Sequence, residues 1–385
     1  MEVDSIFNEM VDNFKRTKSK LALIEIMINY CKLATTTPQN VYDLKKKLEL
    51  EFSIEVDCVY CYKTKTPDDY GCDLREILYD RTNHLIEGGE ELLQLFETKK
   101  LPTMWHIMTD IDDTLYPNTE HNTYIAGSDR SWNQKTPYPG IMSFYNIFYE
   151  KVPKKSKYTT ILSATPGCLK NMKLHNKLLH KILPQYGFIQ GPESKYQVMS
   201  HVPNVVSNLF TNCNERFCGT QHTTSIDNIS SLFTLFGNTK YERCEQYLKL
   251  FPEYNILFIG DNGQGDVLAG IQMLTNYNDR CTVFIHKVSI DGIKFKNSDE
   301  EDQDIKGLHF FTNYFELAQK FQELEIFNDR DVDRVKQTFL SKIRENGSNF
   351  GNLYSSYIGG KLKRTTKNKK LKTKKKKNKK YSKKN

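Results

Sequence analysis

Two acidic side chains stand two residues apart in Thr109-Asp110-Ile111-Asp112-Asp113-Thr114, directly after the apolar run Met104-Trp105-His106-Ile107-Met108. Carboxylates at the exit of a buried strand are costly to desolvate unless they are solvated or used. In a tight turn both converge on one ligand, and such a pair supplies a nucleophile and a neighbouring acid/base. An acidic turn that only ends a strand is the competing reading. A second acidic set, Gly260-Asp261-Asn262-Gly263-Gln264-Gly265-Asp266, follows the run Asn255-Ile256-Leu257-Phe258-Ile259. Asp261 and Asp266 offer hard oxygens suited to Mg²⁺, which takes one or two carboxylates together with water and phosphate. A glycine turn opening a helix at Val267 is the plain alternative.

Two weaker signals accompany these. Ser163, in Ser163-Ala164-Thr165-Pro166-Gly167, follows the run Tyr158–Leu162 and can hydrogen-bond a phosphoryl oxygen or merely cap a turn. Thr239-x-x-Glu242 reads as a capping box, which places Lys240 in the first turn of a helix over 241–250. A lysine there opposes the helix dipole, which points to a role, although most such lysines are simply solvated.

The elements that must position these residues follow from periodicity. Residues 104–108, 158–162, 255–259, 281–285 and 308–311 read as buried strands, and 172–183, 241–250, 267–273 and 314–324 as helices between them. That alternation predicts an α/β domain over 101–327 with a doubly wound parallel sheet, whose sites lie at the carboxyl ends of its strands. Residues 1–100 read as a mostly helical accessory region, with helical spacing from Leu21 to Tyr30, over 39–51 and over 74–98, and a strand candidate at Ile54–Tyr60. A terminal helix is expected over 328–346 and an exposed loop over 291–306.

In chain order the motifs run Asp pair, Ser, Lys, Gly-Asp, each at an end of an α/β element. In this the chain resembles the haloacid dehalogenase superfamily of phosphotransferases over residues 101–325. The resemblance implies a haloacid dehalogenase-like Rossmannoid core. It also implies that Asp110 is the nucleophile forming an aspartyl-phosphate and that Asp112 is the general acid and then base. Ser163 and Lys240 would hold the phosphoryl group. Asp110, the backbone carbonyl of Asp112, and Asp261 would ligate Mg²⁺, with Asp266 in support. The flanks Ile285-His286-Lys287-Val288 and Phe310-Phe311-Thr312-Asn313-Tyr314, together with those motifs, are similar to the lipin-related phosphatidate phosphatase domain of the actin-patch-protein type. That likeness implies Mg²⁺-dependent conversion of phosphatidate to diacylglycerol and phosphate at an anionic membrane surface.

Between Leu115 and Tyr158 there is room for a flap but not for a capping domain, so an open site for a bulky or interfacial substrate is expected. The insert's aromatic residues Tyr116, Trp132 and Tyr138 either rest at a lipid interface or pack on the core.

Charge is unevenly placed. Lys361 to Asn385 hold 15 of the 55 Lys and Arg residues and no acid, so the rest of the 385-residue chain carries a net charge of −7. The segment 347–385 is too polar to bury a core and is expected to be disordered. Its lysines suit an anionic membrane, nonspecific nucleic acid through residues 361–385, or a nuclear import receptor. No run of about 18 apolar residues is present, which excludes a membrane-spanning helix. The acidic start Met1-Glu2-Val3-Asp4 does not read as a secretory signal, and nine scattered cysteines read as reduced thiols. A cytoplasmic protein is expected, with peripheral membrane or nuclear placement open. Cys58, Cys61 and Cys72 read as separate thiols more readily than as zinc ligands, because no fourth ligand is selected by the spacing. His201, Cys213, Cys218 and His222 likewise match no zinc spacing.

Alternatives to the lipid phosphatase are the same core acting on phosphoprotein or nucleic-acid 3′-phosphate, and a catalytically inactive lipid- or nucleic-acid-binding module.

Overall fold

The computed structural model describes residues 2–55, 73–80, 83–117, 129, 132–133, 136–153, 157–162, 190–193, 226–263, 265–288 and 305–346. Among them, six runs form strands: β1 (Met104–Thr109), β2 (Thr159–Ile161), β3 (Gln190–Glu193), β4 (Tyr254–Asp261), β5 (Cys281–His286) and β6 (Leu308–Phe311). All neighbours pair in parallel, in the order β3-β2-β1-β4-β5-β6. Parallel sheets are covered on both faces, which is why the strands read as near-continuous apolar runs. The chain steps from β1 outward through β2 to β3, then returns to β4 on the other side of β1. The carboxyl ends of β1 and β4 therefore flank the point where the winding reverses.

The alternation of side chains assigns each face its core. Met108, Ile256, Phe258, Val283 and Ile285 join one cluster, while Ile107, Leu257, Ile259 and Phe284 join the other. The second face is covered by α7 (Ile141–Lys151), α10 (Tyr314–Glu323) and α11 (Asp329–Asn346), with Phe144, Phe148 and Phe321 fully buried among them. The first face is covered by α8 (Ile226–Leu250) and α9 (Asp266–Tyr277).

The N-terminal helices extend that first cluster. They are α1 (Val3–Thr17), α2 (Lys20–Lys32), α3 (Pro38–Leu50), α4 (Phe52–Glu55), α5 (Leu74–Leu78) and α6 (Gly89–Thr98). Ser19, Thr37 and Asp73 cap α2, α3 and α5 through their side chains. Their apolar faces merge with residues of α8, α9, β4 and β5 in one continuous core. Buried polar contacts seal the junction. Lys45 Nζ donates to Leu250 C=O at 3.0 Å and to Glu253 Oε2 at 2.9 Å. The hydroxyls of Tyr42 and Tyr254 meet at 3.0 Å. Within the sheet itself, His106 of β1 stacks on Tyr254 with ring centroids 4.4 Å apart and faces Thr160 Oγ1 at 2.8 Å through Nε2.

Three sequence expectations change. The capping box at Thr239 does not start a helix, because α8 begins at Ile226 and runs through it. Phe236 and Phe233 are buried one and two turns earlier, so packing carries the helix across Gly237-Asn238-Thr239, which has the composition of a helix start. The helical stretch 74–98 is two helices. Asn83 and Gly88 adopt left-handed φ of 66° and 78°, and Tyr79 bridges to Leu85 between them. Ile54 and Glu55 belong to α4 rather than to a strand, and 56–60 lie outside the described residues. The helix expected at 172–183, the loop over 291–304, the cysteines at 58, 61 and 72, the His201–His222 group and the segment 347–385 also lie outside them. Tyr116, Trp132 and Tyr138 are buried, so of the two readings of the insert's aromatics the packed one holds. No helix among the described residues is long and apolar enough to cross a membrane.

Candidate active site

The exit of β1 delivers Asp110, whose N–H donates to Ile259 C=O of β4 at 2.9 Å. The exit of β4 delivers Asp261, and α9 opens on Asp266. These carboxylates form one buried group: an oxygen from each of Asp110, Asp261 and Asp266 lies within 4.8 Å of the others. The Asp266 carboxylate accepts the Asp261 N–H at 3.1 Å, and Asp261 Oδ1 accepts the Gly263 N–H at 2.5 Å. Oδ2 of Asp110 and Oδ2 of Asp261 are buried with no hydrogen-bond partner.

Lys240 reaches this group from the middle of α8. Its Nζ lies 3.1 Å from Asp110 Oδ1 and is hydrogen-bonded to Asp266 Oδ1. The approach depends on two glycines without side chains to separate the backbones. A Cβ on Gly237 would stand 2.7 Å from Gly265 C=O, and one on Gly265 would stand 2.8 Å from Gly237 N. Gly265 also has φ +85°, a conformation that glycine adopts without strain. Lys240 lies one turn beyond Gly237 and Asp266 directly follows Gly265, so the glycine contact brings the ammonium to the carboxylate.

Electrostatically the group is short of positive charge. Burial pushes the Asp110 carboxyl up to about 8; Lys240 pulls it down while Asp266 and Asp112 push it further up. Burial, then Asp266, Asp110 and Asp113, hold Asp261 well above the usual carboxylate range. Burial also raises Asp266, against the pull of Lys240. For Lys240 burial works downward, but Asp110, Asp266 and Asp261 outweigh it and keep the ammonium charged. One lysine does not balance three buried carboxylates, and two of their oxygens are orphaned. A cation among them would satisfy both deficits, so the donor set fits a hard metal ion.

The turn after β1 presents the remaining acids. Asp112 is buried beside Asp110 and pairs with Tyr116 in an isolated bridge. Asp113 adopts φ +56°; its N–H donates to Tyr116 C=O at 2.9 Å and its C=O accepts from His286 Nδ1 at 2.8 Å. Tyr314 OH donates to Thr114 C=O at 2.9 Å, tying the turn to α10.

The structure thus brings Asp110, Lys240, Asp261 and Asp266 together, with Asp112 adjoining. The carboxylate of Asp112 is not part of the triad, and Ser163 lies outside the described residues. Asp113, Asp129 and His286 carried no assigned role in the sequence. A histidine at the last position of a strand ending beside the site is the signal that could have singled out His286. Comparison of the chain with protein-family models, with curated proteins and with solved structures finds no match.

Proposed function

We propose that the chain is a Mg²⁺-dependent phosphomonoesterase that works through an aspartyl-phosphate, with phosphatidate as its substrate. The observation that carries the reading is Asp110: a buried carboxylate with one orphaned oxygen, 3.1 Å from a lysine and grouped with two further aspartates at the point where the sheet winding reverses. Its place in the ordered Asp-x-Asp-x-Thr, Lys and Gly-Asp-x4-Asp motifs supports the haloacid dehalogenase-like assignment.

Asp110, Asp261 and Asp266, with the Asp112 carbonyl, would hold Mg²⁺, which when bound screens the carboxylate–phosphate repulsion and favours the charged form of Asp110. The chain's own residues do the rest. Lys240 binds the phosphoryl oxygens and offsets the charge of the attacking carboxylate. The Asp110 carboxylate attacks phosphorus, the bond from phosphorus to the leaving alcohol oxygen breaks, and Asp112 gives that oxygen its proton. Water then yields a proton to Asp112 and attacks the phosphorus. The phosphorus–Asp110 bond breaks, inorganic phosphate leaves, and both aspartates return to their starting states.

The phosphatidate assignment draws on the flanking motifs. The test is phosphate release by wild type and Asp110→Asn from phosphatidate in mixed micelles, a soluble aryl phosphate, a phosphopeptide and a 3′-phosphorylated oligonucleotide, each with Mg²⁺ or with chelator. Preferred turnover of phosphatidate, abolished by chelator and by the substitution, is expected. Turnover of the oligonucleotide alone would move the substrate to nucleic acid, which the basic segment 361–385 would suit. Binding of phosphatidate vesicles with no turnover would make the chain a binding module.

A further inference from the structure

Asp113 occupies the left-handed region at φ +56°. A non-glycine residue there is strained by about 1 kcal/mol or more and persists where its surroundings over-determine it. Aspartate tolerates the conformation better than most residues, so the angle alone marks no site. The surroundings carry the argument. Three polar atoms of Asp113 have named partners: the N–H donates to Tyr116 C=O, the C=O accepts from His286 Nδ1, and Oδ2 accepts the Asp129 N–H at 3.1 Å. The Asp129 carboxylate accepts the Tyr138 hydroxyl at 2.5 Å, and the Tyr138 ring meets His286 edge to face with centroids 4.8 Å apart. The circuit Asp113–Asp129–Tyr138–His286 closes on itself, and all four residues are buried.

Geometry links this circuit to Asp112. The peptide joining Asp112 to Asp113 is planar, so pinning the Asp113 N–H on Tyr116 turns the Asp112 carbonyl the opposite way. The unusual φ then fixes how the Asp112–Asp113 peptide enters the turn, and with it the backbone from which the Asp112 side chain projects. His286 contributes from the end of β5, where Asn262 N–H donates to its C=O at 3.1 Å. The circuit therefore ties the acid-bearing turn to the strand beside Asp261.

We propose that Asp129, Tyr138 and His286 are positioning residues that act through Asp113 to aim Asp112 for proton transfer. The inference rests on the phosphatase reading above, in which Asp112 gives a proton to the leaving oxygen and takes one from the attacking water.

The test uses a step that needs Asp112 and one that does not. An aryl phosphate whose phenolate leaves unaided transfers its phosphoryl group to Asp110 without an acid, whereas hydrolysis of the aspartyl-phosphate needs the base. Tyr138→Phe, Asp129→Asn and His286→Gln are compared with wild type by first-turnover phenolate release, steady-state kcat, acid-quenched phosphoenzyme and thermal midpoint. At saturating Mg²⁺, so that any weakening of the ligand role of the Asp112 carbonyl is offset, the first turnover of each variant is expected to stay within about threefold while steady-state kcat falls about tenfold or more and phosphoenzyme accumulates. His286→Gln keeps an N–H for the Asp113 carbonyl and should retain more activity than His286→Ala. Unchanged kinetics in folded variants would overturn the inference. So would parallel loss of both steps in proportion to unfolding, which is the mark of a structural role. A wild type that releases no phosphate from any monoester overturns the phosphatase reading itself, whereas an active wild type with indifferent variants sinks only this inference.

Discussion

Gly237 of α8 and Gly265 of the β4–α9 turn meet backbone to backbone, so close that a methyl group on Gly237 would stand 2.7 Å from Gly265 C=O. That contact seats the helix carrying Lys240 against the turn that carries Asp266. Alanine is the better helix former by about 1 kcal/mol, yet Gly237→Ala is expected to destabilise the fold by about 1–3 kcal/mol through overlap. Activity should fall with it, as α8 and Lys240 retreat. Urea midpoints and phosphate release check both; a stabilised, fully active variant would deny the contact.

The carboxylate triad makes opposite predictions with and without metal. Asp261→Asn removes one of three mutually repelling buried acids that share a single lysine, so the metal-free variant should melt higher than metal-free wild type. Wild type should be stabilised by Mg²⁺, by about 2.7 kcal/mol at a hundredfold excess over Kd, and the variant should gain little. Thermal midpoints against Mg²⁺ concentration for both proteins decide it. A variant that is stabilised as strongly as wild type would place the ion elsewhere.

His106 sits wholly buried, and burial, with a smaller push from Lys46, holds its pKa well below the ordinary histidine value of 6.5. The folded state keeps it neutral while the unfolded chain takes up a proton, so the unfolded state binds more protons in that window. Stability is therefore expected to fall as pH drops below 6.5, with a slope of at most about 1.4 kcal/mol per pH unit from this group. His106→Phe should flatten that part of the profile. Urea denaturation from pH 8 to pH 5.5 measures the slope in each protein.

Lys45 and Glu253 form a buried ion pair between α3 and the start of β4. Lys45→Met leaves a buried carboxylate without its cation and is expected to cost about 3–5 kcal/mol. The double substitution Lys45→Met with Glu253→Leu should recover much of that loss, because two apolar groups need no partner. A double-mutant cycle by urea unfolding reads the coupling. Additive losses would show that the pair does not act as a unit.

The expected strands at 104–108, 255–259, 281–285 and 308–311 all form, and the α/β alternation yields an all-parallel sheet. Continuous apolar runs bounded by polar turns have few alternatives once both faces of the sheet are covered. The acids were legible for the same reason: Asp110 and Asp261 each stand one residue past such a run, and local chemistry marks a strand exit. Lys240 was legible as a residue but not by its place. Its flank imitates a helix start, and only the burial of Phe233 and Phe236 shows the helix passing through.

What the sequence determined by itself is therefore local: strand interiors and the acids at strand ends, each set by periodicity and desolvation over a few residues. The tertiary structure alone decided which of these meet. Asp266 joins the triad because Gly265 turns the chain. Lys240 arrives from a helix packed through Gly237, and His286 reaches Asp113 across 173 positions of chain. Such contacts are fixed by strand order and by how closely two backbones can approach, quantities that depend on the whole packed sheet and not on neighbours in sequence.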